Sequence, residues 1–347
     1  MKSTISFPSV FEENYRNYEQ VANNFLQGIR ILDFKGKDYI VGEFALNEGN
    51  APHKFLNSSV QETDYQLLGL TGLLLATQGA YSNLILTTGF PFTTYLPFKQ
   101  AAQDFFSGTH KISYDSRLLG ENGVETIEFS IPQVDVLTEI EGCIKTIREG
   151  NLKEKDNFFI ASLGYGTFEL ALSTPSGIIH RTTYSSRGIS YAVNLLENEL
   201  QKHYYLNLPS EKQLEQAFQR GSIIINRSVV DLKAVRQKIL HSYYTEILSP
   251  VIRKRFSDDD FMKAKKFYLA GGGALYDELV NYFRDEFKDV LDVIVLPEPN
   301  LAASKGYCLH ACEMAEKLTD QLEDKSSYAC VGLDIGNSNT VITVNNL

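Results

Sequence analysis

The feature that most constrains this chain is a polar glycine turn between two apolar strands near its C-terminal end. The runs Ala329–Asp334 and Thr340–Val344 have strand length, and Gly336 lies in the turn between them. Small residues let backbone N–H groups approach an anion closely, as in a phosphate-binding nest, and a carboxylate at a strand end can hold a hydrated Mg²⁺. The predicted phosphate ligands are Gly336, Asn337, Ser338, Asn339 and Thr340, and Asp334 is the predicted metal ligand. An asparagine-rich β-turn after an acidic strand end is the other interpretation.

A second stretch repeats this pattern of apolar strand, polar residue, glycine turn and apolar strand. It runs from Phe158 to Glu169. Two similar hairpins suggest two related half-molecules, which would clamp a polyphosphate from both sides. The predicted ligands here are Ser162, Gly164, Tyr165, Gly166 and Thr167. The alternative is a structural hairpin retained after a duplication.

A third turn places three consecutive glycines between a strand and a helix. The strand Lys266–Leu269 enters Gly271-Gly272-Gly273-Ala274. Strand, glycines and helix N-terminus allow the backbone to approach a ligand closely, beside the positive end of the helix dipole. The stretch matches neither a P-loop nor a G-x-G-x-x-G fingerprint, which disfavours those nucleotide folds. The turn therefore predicts a contact to a nucleoside from Gly271, Gly272, Gly273 and Ala274, and a purely structural turn is the alternative.

Composition and charge limit the class of protein further. The chain has 347 residues, which corresponds to about two domains. A hydrophobic fraction of 43% with 22% charged residues is typical of globular proteins. A net charge of −10 lacks the basic footprint of a protein that binds DNA or RNA directly. No apolar run has membrane-spanning length, and the N-terminal residues lack a signal-peptide core, so no membrane contact and a cytoplasmic location are expected.

Strand-like and helix-like segments alternate along the chain, which predicts an α/β fold with mixed sheets. The predicted helices include Tyr65–Gln78, Gly188–Tyr205 and Asn300–Leu322. We also predict a strand over Ile178–Tyr184 and helices throughout Ser228–Phe256.

Taken together, the three turns resemble the actin/Hsp70/sugar-kinase ATPase superfamily, and within it the plasmid-segregation actins of the ParM/StbA type. Four further segments carry the resemblance in the family's order. Ser6–Val10 resembles its "FPS" segment, Thr88–Pro91 its "GLP" strand end, Val134–Glu139 the junction before the connecting helix, and Ser185–Ser190 the loop entering the domain II helix. The resemblance covers nearly the whole chain.

This resemblance implies a two-domain actin-like ATPase fold of the ribonuclease H-like kind, with mixed sheets. Domain I would comprise residues 1–150 and 300–347, and domain II residues 151–299. ATP or ADP with Mg²⁺ would bind in the cleft between the domains. The family's first phosphate hairpin stands at the N-terminus, whereas here it lies within residues 326–347, so the chain resembles a circularly permuted member.

The resemblance also implies roles for single residues. Glu139 would be the catalytic carboxylate that polarises water, with Glu141 as a nearby rival. Near the nucleoside the expected residues are Gly188, Glu215, Gln216 and Arg220. Two positions depart from the family pattern, because Ser162 replaces an aspartate and Tyr165 replaces a glycine. These changes are expected to weaken hydrolysis more than nucleotide binding.

The implied function is ATP-dependent filament formation in plasmid or DNA segregation, or another cytoskeletal role. The implied partners are further copies of the chain and an adaptor protein that links the filament to DNA. A small-molecule kinase of the same superfamily is one alternative, although the chain is short for one. A nucleotide-binding scaffold without catalysis is the other, favoured by Ser162 and Tyr165.

Overall fold

A computed structural model describes residues 3–55, 59–77, 81–121, 123–204, 211–318 and 327–346. The chain divides into two compact units. Unit 1 comprises Met1–Phe90, Thr94–Gly150 and Ala303–Leu347, and unit 2 comprises Pro91–Thr93 and Asn151–Ala302. The predicted division after residues 150 and 299 differs from these units at Pro91–Thr93 and at residues 300–302, which cluster with unit 2.

The strands are numbered along the chain. They are β1 (Ser3–Pro8), β2 (Val10–Glu13), β3 (Arg30–Phe34), β4 (Lys37–Val41), β5 (His53–Lys54), β6 (Asn83–Phe90), β7 (Gly108–Asp115), β8 (Val124–Thr138), β9 (Phe158–Leu163), β10 (Thr167–Thr174), β11 (Gly177–Ile178), β12 (Tyr184–Arg187), β13 (Ser222–Ile225), β14 (Ser228–Asp231), β15 (Lys266–Ala270), β16 (Asp292–Val295), β17 (Tyr328–Ile335) and β18 (Asn339–Asn346).

The α-helices are numbered in the same way. They are α1 (Glu43–Glu48), α2 (Thr63–Thr77), α3 (Phe92–Phe106), α4 (Glu139–Glu149), α5 (Ser190–His203), α6 (Glu211–Arg220), α7 (Lys233–Tyr243), α8 (Ser249–Arg255), α9 (Asp258–Phe261), α10 (Asp277–Phe287) and α11 (Ala302–Leu318). None of the described helices is both long and apolar enough to cross a membrane. The predicted α/β class with mixed sheets is confirmed.

The C-terminal hairpin lies inside the sheet of unit 1. The described strands of this sheet have the order β1-β18-β17-β6-β8-β7-β3-β4-β2-β5. Strand β18 runs antiparallel to β1, with Ser3 opposite Val344 and Pro8 opposite Asn339. Strand β17 runs parallel to β6, with Leu333 beside Thr88. The last described strands of the chain therefore lie between strands that precede them in sequence.

Helix α2 covers the C-terminal hairpin and is buried on all sides. Its residues from Leu67 to Thr77 are all buried. A helix that is apolar around its whole circumference belongs in a core, because no face of it suits water. Two glycines allow the close approach: a Cβ on Gly72 would lie 2.9 Å from Leu333, and one on Gly69 would lie 2.9 Å from Phe106. The core of unit 1 thus forms around the strand that carries Asp334.

The sheet of unit 2 holds the second and third glycine turns. Its described strands have the order β11-β10-β9-β15-β16, and β12 pairs with the first half of β10, Thr167–Leu170. Strand β9 pairs antiparallel with β10 and parallel with β15. Every residue of β9 is buried. Because β9 and β15 are parallel neighbours, the glycine turns that follow them start at the same end of the sheet.

Two sequence predictions in unit 2 were wrong. The predicted strand Ile178–Tyr184 is interrupted by a short 3₁₀ turn at His180–Thr182. There the Thr182 hydroxyl donates to the Ile179 carbonyl at 2.6 Å and accepts from the Leu172 N–H at 2.9 Å, so a side chain replaces a strand partner. Such a tertiary contact is invisible in local sequence.

The prediction of helix throughout Ser228–Phe256 was wrong at its start. Ser228–Asp231 is strand β14, which pairs with β13, and helix begins only at Lys233. The turn residues Asn226 and Arg227 have φ of 50° and 66°, the left-handed pair of a tight hairpin turn. The β-branched residues on both sides of this turn were the available signal.

Candidate functional site

The C-terminal turn, Gly336–Asn339, is fixed by hydrogen bonds on one side. The Gly336 N–H donates to the Asn339 carbonyl at 3.1 Å, and the Ser9 N–H donates to the Ser338 carbonyl at 3.0 Å. The Ser9 hydroxyl also lies 3.0 Å from that of Thr340. In a planar trans peptide the C=O and the following N–H point in opposite directions, so the Asn339 N–H points away from Ser9. The turn is held in place by Ser9 while that amide is presented on the other side.

Two carboxylates of unit 1 influence each other beside this turn. Asp334, near the end of β17, is partly buried, and Glu139 is the first residue of α4. Burial and, to a smaller extent, the nearby Glu139 carboxylate together raise the pKa of Asp334 to about 8. A divalent cation would offset both effects, because oxygen ligands of opposite charge are what Mg²⁺ prefers. The donor chemistry of Asp334 therefore fits the predicted magnesium ion.

Glu141, the rival of Glu139, has a structural role. Its carboxylate accepts hydrogen bonds from the N–H and the hydroxyl of Thr138, both at 2.8 Å. Thr138 in turn accepts from the Glu141 N–H, which completes a capping box at the start of α4. Glu139 is thus the carboxylate of this pair that acts on Asp334.

Tyr65 is a neighbour of Asp334 that the sequence analysis missed. Its ring is buried and stacks on Phe90 at 5.5 Å between centroids. Burial raises the pKa of the Tyr65 phenol, and the charge of Asp334 raises it further. The only signal in the sequence was a polar aromatic residue at the start of an otherwise aliphatic helix.

The turn of unit 2 between β9 and β10, Gly164–Gly166, is here called the Tyr165 turn. Its three carbonyls, in chain order, accept hydrogen bonds from the N–H groups of Ile189 at 3.0 Å, Ser190 at 2.8 Å and Gly188 at 3.1 Å. The N–H groups of Tyr165 and Gly166 therefore point away from this contact. A Cβ on Gly188 would lie 2.5 Å from the carbonyls of Gly164 and Tyr165, so glycine is required there.

The triple-glycine turn, Gly271–Ala274, packs against the same strand end. Gly271 has φ of +80°, and a Cβ there would lie 2.6 Å from the backbone of Leu163. A Cβ on Gly273 would lie 2.7 Å from the Leu163 side chain, whereas one on Gly272 would meet nothing within 4 Å. The chain then forms a 3₁₀ turn over Gly272–Leu275 before α10, so the helix starts later than predicted. Both turns of unit 2 thus meet at Leu163.

Replacing Gly271 is expected to be far more harmful than replacing its neighbour Gly272. Gly271→Ala should lower the free energy of unfolding by about 2–4 kcal/mol, because it combines left-handed strain with a backbone clash. Gly272→Ala should change it by about 0.5 kcal/mol or less, as expected in open space. Urea denaturation of both variants measures this difference, and equal losses would contradict the packing described here.

The remaining predicted residues are not all brought to the turns. Ser162 is buried on β9, opposite Glu169 of β10. Burial is the main cause of the raised pKa of Tyr165, and the Glu215 carboxylate is the next. The Glu215 carboxylate lies 3.3 Å from Lys212 Nζ. Arg220, at the far end of α6, donates instead to the Ser222 carbonyl at 3.1 Å, and Gln216 is exposed. The structure therefore places Glu215 near the Tyr165 turn and gives Arg220 a local role.

Comparison with known proteins identifies the fold of the chain. The family described as actin-like proteins, N-terminal domain, matches residues 2–142. A 15-stranded ParM filament from Clostridium botulinum is similar in structure, with a TM-score of 0.71, 18% identity, and coverage of 88% of this chain and 92% of that chain. The chain has the fold of ParM-type actin-like proteins. No curated protein sequence matches it.

Two further solved structures share the ParM-type fold. One is the ADP complex of an archaeal actin homologue, with a TM-score of 0.67, 14% identity, and coverage of 90% of this chain and 92% of that chain. The other is a non-polymerisable ParM quadruple mutant, with a TM-score of 0.67, 16% identity, and coverage of 90% and 92%. The similarity to ParM-type proteins thus extends over most of the chain.

Proposed function

We propose that this chain binds ATP with Mg²⁺ and assembles into filaments. The observation that carries the proposal is the set of glycine turns on a ParM-type fold, with the Asp334 and Glu139 carboxylates beside the first of them. A similar ParM structure is a filament, and a similar archaeal homologue holds ADP. These neighbours support the proposal by analogy of fold.

The proposed ligand contacts follow from the local geometry. Backbone N–H groups of the C-terminal turn and of the Tyr165 turn would hold phosphates. Gly188 supports the Tyr165 turn by donating its N–H to the Gly166 carbonyl. Gly272 is the position of the triple-glycine turn proposed to face the nucleoside, because a Cβ there would meet nothing within 4 Å. Asp334 would hold Mg²⁺ through water, and the bound ion would neutralise phosphate charge.

Hydrolysis would be slow in this chain. Ser162 is buried and polar but supplies no charge at a position where the resembling family has an aspartate. Glu139 would be the carboxylate that polarises water, and general-base assistance of this kind is typically worth about 10²- to 10⁴-fold. We propose a slow ATPase that retains nucleotide binding through the backbone N–H groups of its glycine turns.

The proposed biological role is plasmid or DNA segregation, or another cytoskeletal function, in the cytoplasm. The net charge of −10 favours an adaptor protein between the filament and DNA over direct contact. A non-catalytic nucleotide-binding scaffold is the second candidate, supported by the uncharged Ser162 and the bulky Tyr165 in the second turn.

We also propose that the element order is circularly permuted relative to ParM-type proteins. Pairing of Ser3 with Val344 supports this, because a direct connection between β18 and β1 would form an ordinary hairpin. A rearranged chain with residues 326–347 placed before residue 1 tests the proposal. It is expected to give the same circular dichroism spectrum and nucleotide affinity, and a chain that cannot fold would contradict it.

Light scattering of the purified protein with Mg²⁺, before and after addition of ATP, tests filament formation. A rise followed by decay is expected for filaments that hydrolyse their nucleotide, and a persistent rise indicates filaments without turnover. A flat trace with measurable ATP binding would contradict filament formation and favour the non-catalytic nucleotide-binding scaffold. Samples with EDTA or with ADP are the controls.

A further inference from the structure

We propose that Tyr165 is a positioning residue that connects the second glycine turn to helix α6, so that a ligand at the turn alters α6 and the hairpin β13–β14. This inference rests on the proposed nucleotide site. It concerns a residue at which the chain departs from the glycine of the resembling family.

Tyr165 is tied to a different helix by its backbone and by its side chain. The Tyr165 carbonyl accepts from the Ser190 N–H at the start of α5, at 2.8 Å. Its hydroxyl donates to Glu211 Oε1, at the first residue of α6, at 2.9 Å. A glycine could make only the first of these contacts. The tyrosine therefore adds a direct link from the turn to α6.

The surroundings of this link favour a strong hydrogen bond. Tyr165 is partly buried and packs against the hydrophobic core of unit 2. Burial raises the pKa of Tyr165, and the carboxylates of Glu215 and Glu211 raise it further. The phenol therefore remains protonated and keeps its role as donor. Hydrogen bonds to carboxylates are about twice as strong as neutral ones, and low polarity strengthens them.

Helix α6 also contacts the segment that follows the triple-glycine turn. The ring centroids of Phe218 and Tyr276 are 5.5 Å apart. Arg236 Nη1 donates to the Phe218 carbonyl at 3.1 Å and to the Gln219 carbonyl at 2.8 Å, while its Nη2 pairs with Glu278 of α10 at 2.7 Å. One end of α6 is thus linked to the Tyr165 turn and the other end to the helix that follows the third turn.

The hairpin β13–β14 is the part of unit 2 that a shift of α6 would move. Gly221, with φ of +77°, joins α6 to β13, and its carbonyl accepts a hydrogen bond from the Leu232 N–H at 2.9 Å. Ile223 and Ile225 are buried, whereas Ile224 and its cross-strand partner Val229 are 68% and 74% exposed. One face of the hairpin is therefore packed in the core, and the other exposes an apolar pair. A shift of α6 would move this exposed pair.

Hydrogen–deuterium exchange with and without Mg²⁺ and ATP tests this connection. In the wild-type protein, nucleotide is expected to slow amide exchange in residues 211–231 by about tenfold. Glu211→Ala should keep nucleotide affinity within about threefold, because Glu211 lies outside the turn, yet lose this slowing. Tyr165→Phe, compared at saturating nucleotide so that any change in affinity drops out, should lose the slowing as well. Glu211→Gln should retain the effect, since an amide oxygen still accepts from the phenol.

Tyr244→Phe is the matched control. It removes another partly buried hydrogen bond from tyrosine to glutamate in unit 2, between Tyr244 and Glu286 Oε2 at 2.8 Å. Tyr244 lies in the π-helical turn between α7 and α8, and Glu286 lies in the last turn of α10, at the end remote from the triple-glycine turn. This variant should respond to nucleotide like the wild type. If Tyr165→Phe and Glu211→Ala both bind nucleotide and show the same protection from exchange as the wild type, the inference is wrong while the proposed function stands. Absence of nucleotide binding in the wild type would overturn the proposed function as well.

Discussion

Raising the pH from about 6 to about 8 is expected to tighten Mg²⁺-dependent nucleotide binding by about tenfold per pH unit. Burial and the Glu139 carboxylate raise the pKa of Asp334 to about 8, so the carboxyl is mostly protonated at neutral pH in the absence of a cation. Mg²⁺ binds the carboxylate form, and each bound ion must therefore displace a proton. Above the pKa no proton remains to be displaced, so the affinity should level off.

Titration calorimetry in buffers of different ionisation enthalpy measures the proton release directly. The wild type should release about one proton per Mg²⁺ bound at pH 7 and almost none above about pH 9. Asp334→Asn is the control, because it should leave only the titration of the nucleotide itself and should bind Mg²⁺ weakly at every pH. The same pH dependence in wild type and variant would exclude Asp334 as the metal ligand.

Glu139→Gln is expected to lower kcat for ATP hydrolysis by about 10²- to 10⁴-fold, the usual contribution of a general base. Nucleotide affinity at neutral pH should stay equal or increase. The reason is electrostatic: removal of the Glu139 charge lowers the pKa of Asp334, which favours the carboxylate that binds Mg²⁺. Single-turnover hydrolysis and equilibrium binding separate the two effects.

Glu141→Gln is the matched control for this experiment. Glutamine also serves in a capping box, so the start of α4 should persist and kcat should stay within about twofold of wild type. Loss of turnover in Glu141→Gln with normal turnover in Glu139→Gln would exchange the roles assigned to the two residues.

The glycine turns were predictable because their determinants are local. Glycine and asparagine between apolar strands specify a tight turn at Gly336, and three glycines after a strand specify a close backbone approach at Gly271. The fold class followed from the alternation of strands and helices. Strand β14 was missed because Val229 and Val230 continue into a helical pattern, while the turn that separates them from β13 depends on the conformation of Asn226.

The side-chain partners within the candidate site were not predictable from local sequence. The pKa of Asp334 depends on Glu139, and the orientation of Tyr165 depends on Glu211, both distant along the chain. Arg220 was predicted near a nucleoside, yet it bonds to Ser222, because the helix ends beside that strand. Such contacts are decided by packing, which the order of residue types does not reveal.

The position of β17 and β18 within the sheet has a consequence for synthesis on the ribosome. These strands supply buried residues such as Val331, Leu333 and Ile342 to unit 1, yet they emerge after all other described elements. Nearly all of unit 2 is encoded by one continuous segment, Asn151–Ala302, so we expect it to fold first although translation of unit 1 begins earlier. Until the hairpin arrives, β1 lacks its partner β18, the edge of β6 that pairs with β17 is open, and the apolar helix α2 lacks the strands that it packs against. The nascent chain therefore exposes open strand edges for the whole time that unit 2 is being made, which is when molecular chaperones have their opportunity to bind it.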